Sequence, residues 1–443
     1  MKLKKLSLAF SFLCGFASCT QAAEQVGTTL EDFFTAALEY SPALKSAQAK
    51  WDVGDARVDF ANGQLLPQVS ASATVSDNTR QATGEVERDY RGRRYSVQLS
   101  QVLFNWQAFV ARQQAYLQKD QYEAEYYLQL GQVLTTVADN YLLVLQAEDV
   151  LNSTRAELQA INNQVNQIQR MNDLQLAKVT DLYNGQAQQA AVQSLLVDAE
   201  SELTIRRENL RAATGIAVGG LNRLPDEIKV IPLEGTLDEW LARADENNKQ
   251  IEASELALKV ADKTVTARRG AYMPKLSLVL QTSTSDVGFE NVPLNRADNN
   301  YIGIDFSMPL FAGGANRASV HEAMSLRTMA ESDLAQTNLT VHDRARTAYF
   351  QVKAMESRVE AARLLAQSTS TAATAMQRGF ELGTETSVNV LNAVRDQFRA
   401  QRDLQRARYD LIRYTLLLER EAGTLAADDL QRVSATLNAP APR

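Results

Sequence analysis

The residues best equipped for chemistry are scarce in this chain. Its 443 residues include two histidines and two cysteines. The histidines, His321 and His342, lie in one helical stretch with no Cys or His at ligand spacing. A metal site needs several such ligands converging on one point, so both read as surface positions. A nucleophile needs a neighbouring base, and no Ser-His or Cys-His pair offers one. Gly215 to Gly220 is glycine-rich but lacks the lysine and strand context of a phosphate loop, and reads as a linker. The many carboxylates fall on polar helix faces. Neither a catalytic residue, nor a metal, nor a cofactor is expected.

Both cysteines, Cys14 and Cys19, fall in the first twenty residues. There Lys2, Lys4 and Lys5 make a basic head, Leu6 to Phe16 an apolar run and Thr20-Gln21-Ala22-Ala23 a small-residue exit. Residues 1–23 are expected to be a secretory signal, since the apolar run is too short for a permanent anchor. Phe16-Ala17-Ser18-Cys19 also resembles a lipoprotein box, with Phe where Leu is usual, which leaves lipidation of Cys19 as the other processing route. Losing three lysines takes the formal net charge from −7 to about −10. An acidic chain without a basic tract argues against nucleic acid.

The elements that would position anything are written twice. Thr29-Leu30-Glu31-Asp32-Phe33 returns as Thr236-Leu237-Asp238-Glu239-Trp240. Leu66-Pro67-Gln68-Val69-Ser70 returns as Met273-Pro274-Lys275-Leu276-Ser277, and Ala213-Thr214-Gly215 as Glu421-Ala422-Gly423. Such a match in register reads as one unit duplicated and fused. The expected division is a first repeat at 24–215, an inter-repeat linker at 216–235, a second repeat at 236–423 and a C-terminal segment at 424–443, its end unstructured.

Proline is absent between Gln68 and Leu224 and between Leu310 and Ala439. At about 3 kcal/mol per interior proline, these gaps mark where long helices are permitted. Within them Leu151, Thr154, Leu158, Ile161, Val165 and Ile168 alternate by three and four, as do Val359, Ala362, Ala366, Thr369, Ala373, Met376 and Phe380. That spacing is a coiled-coil seam. It predicts long helices over about Phe104–Met171 and Gly313–Phe380. Each is followed by a break and a shorter helix. Further helices are expected over about Thr29–Leu65 and Thr236–Ala271.

Between the helices lie two segments of period two in each copy. Val69, Ala71, Ala73 and Val75 alternate with polar residues, as do Tyr95, Val97 and Leu99. Leu276, Leu278 and Leu280 do the same, followed by Ile302, Ile304, Phe306 and Met308. Strands of about 9 to 12 residues, apolar on one face only, fit a transmembrane barrel with lipid outside and water inside; a soluble half-buried sheet is the other reading. Tyr95, Tyr301, Phe104, Trp106 and Phe311 are expected at strand ends as an interfacial belt. Four strands cannot close alone, and three protomers would supply twelve.

These residues resemble the TolC family of outer-membrane ducts. Pro309-Leu310-Phe311-Ala312-Gly313-Gly314-Ala315-Asn316-Arg317-Ala318 is similar to the family's strand-to-helix motif. Gly383-Thr384-Glu385-Thr386-Ser387-Val388-Asn389-Val390-Leu391-Asn392-Ala393 resembles its periplasmic hairpin turn. Glu421 to Leu425, followed by Asp428-Asp429-Leu430, resembles its C-terminal run. The resemblance implies a mainly α protein with transmembrane β: a homotrimeric α-barrel joined to a 12-stranded outer-membrane β-barrel, four strands per protomer. It also implies partners: a periplasmic adaptor and an inner-membrane pump or ABC transporter, exporting drugs or proteins. A trimeric coiled-coil stalk or adhesin with a barrel anchor is the alternative.

By the same resemblance, the pore constriction at the helical tips falls on Asn389, Asn392, Thr180, Asp181, Lys178, Phe380 and Glu385. The adaptor-docking hairpins fall on Gly383, Thr384, Thr386 and Leu176. The family's archetype has aspartates where this chain has Asn389 and Asn392. A ring of amides does not select cations as a ring of carboxylates does. Glu385 would repel Asp181 and is expected to pair with Lys178.

Overall fold

A computed structural model describes residues 26–81, 83–84, 86–224, 233–287 and 292–425. The signal segment with Cys19, residues 225–232 of the linker and residues 426–443 lie outside the described residues.

Each half of the chain runs helix, helix, two strands, long helix, helix. The first half holds α1 (Leu30–Tyr40), α2 (Pro42–Gly63), β2 (Gln68–Arg80), β3 (Arg88–Asn105), α3 (Trp106–Asp173) and α4 (Val179–Thr214). The second holds α5 (Leu237–Asn247), α6 (Lys249–Arg269), β5 (Lys275–Val287), β6 (Pro293–Ser307), α7 (Ala315–Glu381) and α8 (Ser387–Glu421). Two short strands, β1 (Val26–Gly27) ahead of α1 and β4 (Ala217–Val218) just after α4, pair in parallel. The glycine-rich segment after α4 is therefore partly strand. Gly215 ends α4 at φ 77°, with the Tyr40 ring where a Cβ would stand; only glycine takes this position without strain.

The helices expected over Thr29–Leu65 and Thr236–Ala271 are each broken in two. At the first break Pro42 drives Ser41 out of the helical region, to φ −59°, ψ 113°. The Ser41 hydroxyl then accepts from the Leu44 amide at 3.3 Å and caps the new helix. The second break uses no proline. Asn248 caps α6 by accepting from the Gln250 amide at 2.9 Å, and its side-chain amide donates to the Glu421 carbonyl at 2.7 Å.

The long helices have 68 and 67 residues, each about 100 Å at 1.5 Å per residue. α2 and α4 both pack along α3, α6 and α8 both pack along α7, and α3 contacts α6 and α8. Across the slab the order is therefore α2 or α4, then α3, then α6 or α8, then α7. The predicted seam is buried where α3 meets α4 and α8. Ile161, Val165 and Ile168 cluster there with Leu182, Val192 and Leu391. On α7 the seam is made of Val359, Ala366 and Ala373, small residues that let α8 approach closely.

A second cluster lies under α1. Phe33 meets Tyr141 edge-on, with ring centroids 5.8 Å apart, and Val137, Leu142, Leu145, Leu210 and Leu416 surround them. The Tyr141 hydroxyl accepts from the Asn222 amide at 3.1 Å. Burial pushes that phenol's pKa well up, so it stays a neutral hydrogen-bonding group.

The sheet order is β2-β3-β5-β6, antiparallel throughout, with β2 and β6 as open edges. Val69, Leu99, Leu280 and Ile302 stand in one row across the four strands; Ser70, Gln98, Gln281 and Tyr301 form the next, on the opposite face. Ile302, Ile304 and Phe306 are 72%, 62% and 66% exposed in the protomer. An apolar face so open to its surroundings is what a lipid-facing wall requires.

Two expectations about the strands are corrected. The strands run 13, 18, 13 and 15 residues, longer than the apolar alternation. Pairing continues past the apolar rows into charged ones, where Arg91 bonds Asp77 at 3.0 Å and Thr284 bonds Asp298 at 2.6 Å. Backbone pairing needs no apolar side chain. Tyr95 and Tyr301 consequently lie inside β3 and β6, not at strand ends. Tyr301 also shares the polar face: its ring lies over Gly303, the hydroxyl standing where a Cβ would be. Phe104, Trp106 and Phe311 do gather at the helix-proximal end of the sheet.

Candidate functional site: the helical tips

The two hairpins end in turns of the same length built from different residues. α3 ends at Asp173; the chain reverses through Gln175 at φ 61°, a left-handed conformation in a residue with a Cβ. The Leu176 amide donates to the Met171 carbonyl at 2.7 Å, and the Asn172 side chain donates to the Ala177 carbonyl at 3.0 Å. Lys178 precedes α4 without capping it, and Asp181 lies in the first turn, where the helix dipole favours a carboxylate. In the second turn Gly383 takes φ 76°. The Thr384 hydroxyl donates to the Gly379 carbonyl at 3.0 Å, and Thr386 caps α8 by accepting from the Asn389 amide at 3.3 Å.

Leu391 of the second hairpin packs among Ile161, Val165 and Leu182 of the first, so the structure brings the two tips side by side. Asn389 and Asn392 are exposed and, three apart on α8, share one face. Thr180 and Lys178 are exposed, whereas Asp181, Phe380 and Glu385 are half-buried. The expected Lys178–Glu385 pair is not formed within the protomer. Glu385 instead accepts from the Asn389 side-chain amide at 2.8 Å, one helical turn away. The Glu385 side chain is drawn back over Gly379, where a Cβ would come within 2.6 Å of it.

Sequence reasoning missed Leu174 and Leu382. They are 70% and 81% exposed, beside Leu176 at 70%. The signal was available in the repeat itself: a leucine follows the last helical residue in both turns, after Asp173 and after Glu381.

Above the tips, polar groups cross between helices. Glu157 of α3, fully buried, pairs with Arg402 of α8. Arg207 of α4 meets Glu148 of α3 at 2.6 Å, and the Tyr409 hydroxyl donates to Asp149 at 2.7 Å. Burial pushes the Asp149 carboxyl up, partly offset by the Tyr409 bond. A carboxyl whose folded pKa is raised stabilises most at low pH, and that stability falls as pH rises through its unfolded and folded values. Asp149→Asn keeps an acceptor for Tyr409 and removes the buried charge. It should raise the melting temperature at neutral pH, the gain vanishing toward about pH 4; an equal gain at both pH values would show that ionisation is not the cause.

Among the described residues no helix is long and apolar enough to cross a membrane, and no group of three or more His, Cys, Asp and Glu is placed to hold a metal. His342 bonds Asp245 at 2.6 Å between α7 and α5.

The chain is similar to outer membrane protein TolC of Salmonella enteritidis, 27% identical over 456 residues, covering 100% of this chain and 91% of that protein. It is similar to the alkaline protease secretion protein AprF of Pseudomonas aeruginosa, 24% identical over 416 residues, covering 92% and 86%. Among solved structures it resembles that of CusC with a TM-score of 0.78 at 16% identity, covering 91% of this chain and 95% of that one. The family profile described as "Outer membrane efflux protein" matches residues 34–216 and 240–424. With most of its length matched, one segment in each half, the chain belongs to the outer membrane efflux protein family.

Proposed function

We propose that three copies of this chain close into a duct that runs from the outer membrane through the periplasm and exports drugs or proteins without chemistry of its own. The observation that carries this reading is where the unpartnered edges lie. β2, α2 and α4 bound one side of the protomer; β6 and α7 bound the other. An open sheet edge is not tolerated in lipid, and four strands fall short of the roughly eight of the smallest barrels. Joining β6 and α7 of one copy to β2, α2 and α4 of the next closes barrel and helical wall in one operation, as a ring requires.

The exposed leucines on both turns suit docking of a periplasmic adaptor, with Gly383, Thr384 and Thr386 shaping the second turn. Behind the adaptor stands an inner-membrane pump or ABC transporter. The outer membrane is the protein's location. The test is end-on electron microscopy of the mature protein purified in detergent. A threefold hollow cylinder is expected; a solid rod would favour the stalk.

The amides at the tip carry a separate expectation. Asn389→Asp with Asn392→Asp places up to six carboxylates around a threefold opening and should shift the channel's reversal potential toward cations. Trivalent cations should then block current in the double variant and not in the parent. Equal block of both would place the constriction elsewhere.

A further inference from the structure

A groove of about 820 Å³ runs along one face of the slab where α4, α3, α8 and α7 lie side by side. Five arginines line it: Arg206, Arg358, Arg402, Arg406 and Arg413. Three are engaged, Arg206 with Glu202, Arg402 with Glu157, and Arg413 with Asp139 and Asp410. Arg358 and Arg406, on α7 and α8, are exposed and make no ion pair among the described residues of the protomer. Asp403 also faces the groove and is exposed.

The groove faces the bore if the protein forms the duct proposed above, and the inference rests on that reading. On α3 the groove residues Leu143, Gln146 and Val150 lie across the helix from Ala138, Tyr141 and Leu145, which pack under α1. Among the described residues, one face of the slab is therefore covered by α1 and its neighbours, and the other is bare. Twelve helices spaced about 8–10 Å apart leave a bore of roughly 20–28 Å. Three copies of α1, α5 and the β1–β4 pair would obstruct it, so the covered face is outside and the arginine face inside.

A second observation points the same way. Arg80 and Arg88 stand directly opposite each other at the far end of β2 and β3. Directly opposed like charges destabilise a strand pair unless an anion relieves them. Their positions share the face of Ser72 and Ser96, which bond each other at 2.7 Å, the face opposite the apolar wall.

We propose that Arg358 and Arg406 form an anion-binding station at mid-height of the duct, threefold repeated, for organic molecules bearing two or more carboxylate, sulfonate or phosphate groups. Guanidinium pairs with such groups through two parallel N–H donors, and Arg402 and Arg206 hold further donors beside them. The basic exit at Arg80 and Arg88 then draws the anion onward.

The test is single-channel current through the mature protein in planar bilayers, with inositol hexakisphosphate as probe. The parent channel should be blocked. Arg358→Ala with Arg406→Ala should weaken the block on the order of tenfold or more, and Arg358→Lys with Arg406→Lys should weaken it less. Equal block of parent and alanine variant overturns the inference and leaves the duct intact, as does a conducting parent that millimolar probe does not block. Loss of block in Arg80→Ala with Arg88→Ala alone moves the site to the exit and overturns the mid-height assignment. A protein that forms no channel at all overturns the duct reading and the station with it.

Discussion

Arg402→Ala should destabilise each protomer by about 3–5 kcal/mol, the usual cost of leaving one member of a buried ion pair alone. Its partner Glu157 is fully buried within the helical wall. One carboxylate oxygen of Glu157 has no partner among the described residues, so Arg402 supplies the principal compensation for that charge. Replacing both members with apolar residues, as in Glu157→Leu with Arg402→Met, should be close to neutral or stabilising, because the desolvation cost goes with the charge. Temperatures at which the detergent-solubilised oligomer dissociates would separate the two. If Arg402→Ala melts within a degree of the parent, the pair is not holding α3 to α8.

Leu280→Arg should prevent stable insertion, whereas Gln281→Arg, one residue on, should be tolerated. The two side chains lie on opposite faces of β5: Leu280 in the row of Val69, Leu99 and Ile302, Gln281 in the row of Ser70, Gln98 and Tyr301. An arginine facing lipid near the bilayer midplane costs about 2–4 kcal/mol, and the threefold assembly incurs it three times. An arginine on the polar face meets water. Fractionation of outer membranes with both variants expressed at equal level reads the outcome. Inversion of the result would reverse the assignment of lipid and lumen faces.

How much of this was legible from sequence depended on what each residue has to satisfy. Seam residues such as Ile161, Val165 and Ile168 announce themselves because burial and a period of 3.6 are the same requirement. The alternating strands were legible for the equivalent reason, at period two. The ends of those strands were not, since pairing past Tyr95 depends on backbone partners and leaves no apolar trace. Tyr301 was misplaced because its neighbours suggested an interface, whereas an aromatic ring over Gly303 fills space that glycine leaves open.

At the tips, the position of each turn could be read to within about two residues from the end of the helical pattern, near Met171 and Phe380, but the equal length of the two turns could not. Nor could the partner of Glu385. A flexible carboxylate takes the nearest suitable donor, and Asn389, four residues on in the first turn of α8, is nearer at hand than a lysine on another hairpin. The kink at Ser41 was foreshadowed by Pro42. The matching kink at Asn248 has no such marker, and its cause lies in a bond to the Glu421 carbonyl from the far end of the repeat.

The unpaired edges of β2 and β6 govern the order of events in assembly as well as the final shape. A lone protomer has no lipid-compatible form, so association must accompany or precede entry into the membrane. Insertion should therefore rise more steeply than in proportion to the supply of chains, and slow disproportionately when supply is low. A chain whose β6 edge cannot pair does more damage than a missing one: each time it is incorporated, it withdraws two sound copies from use.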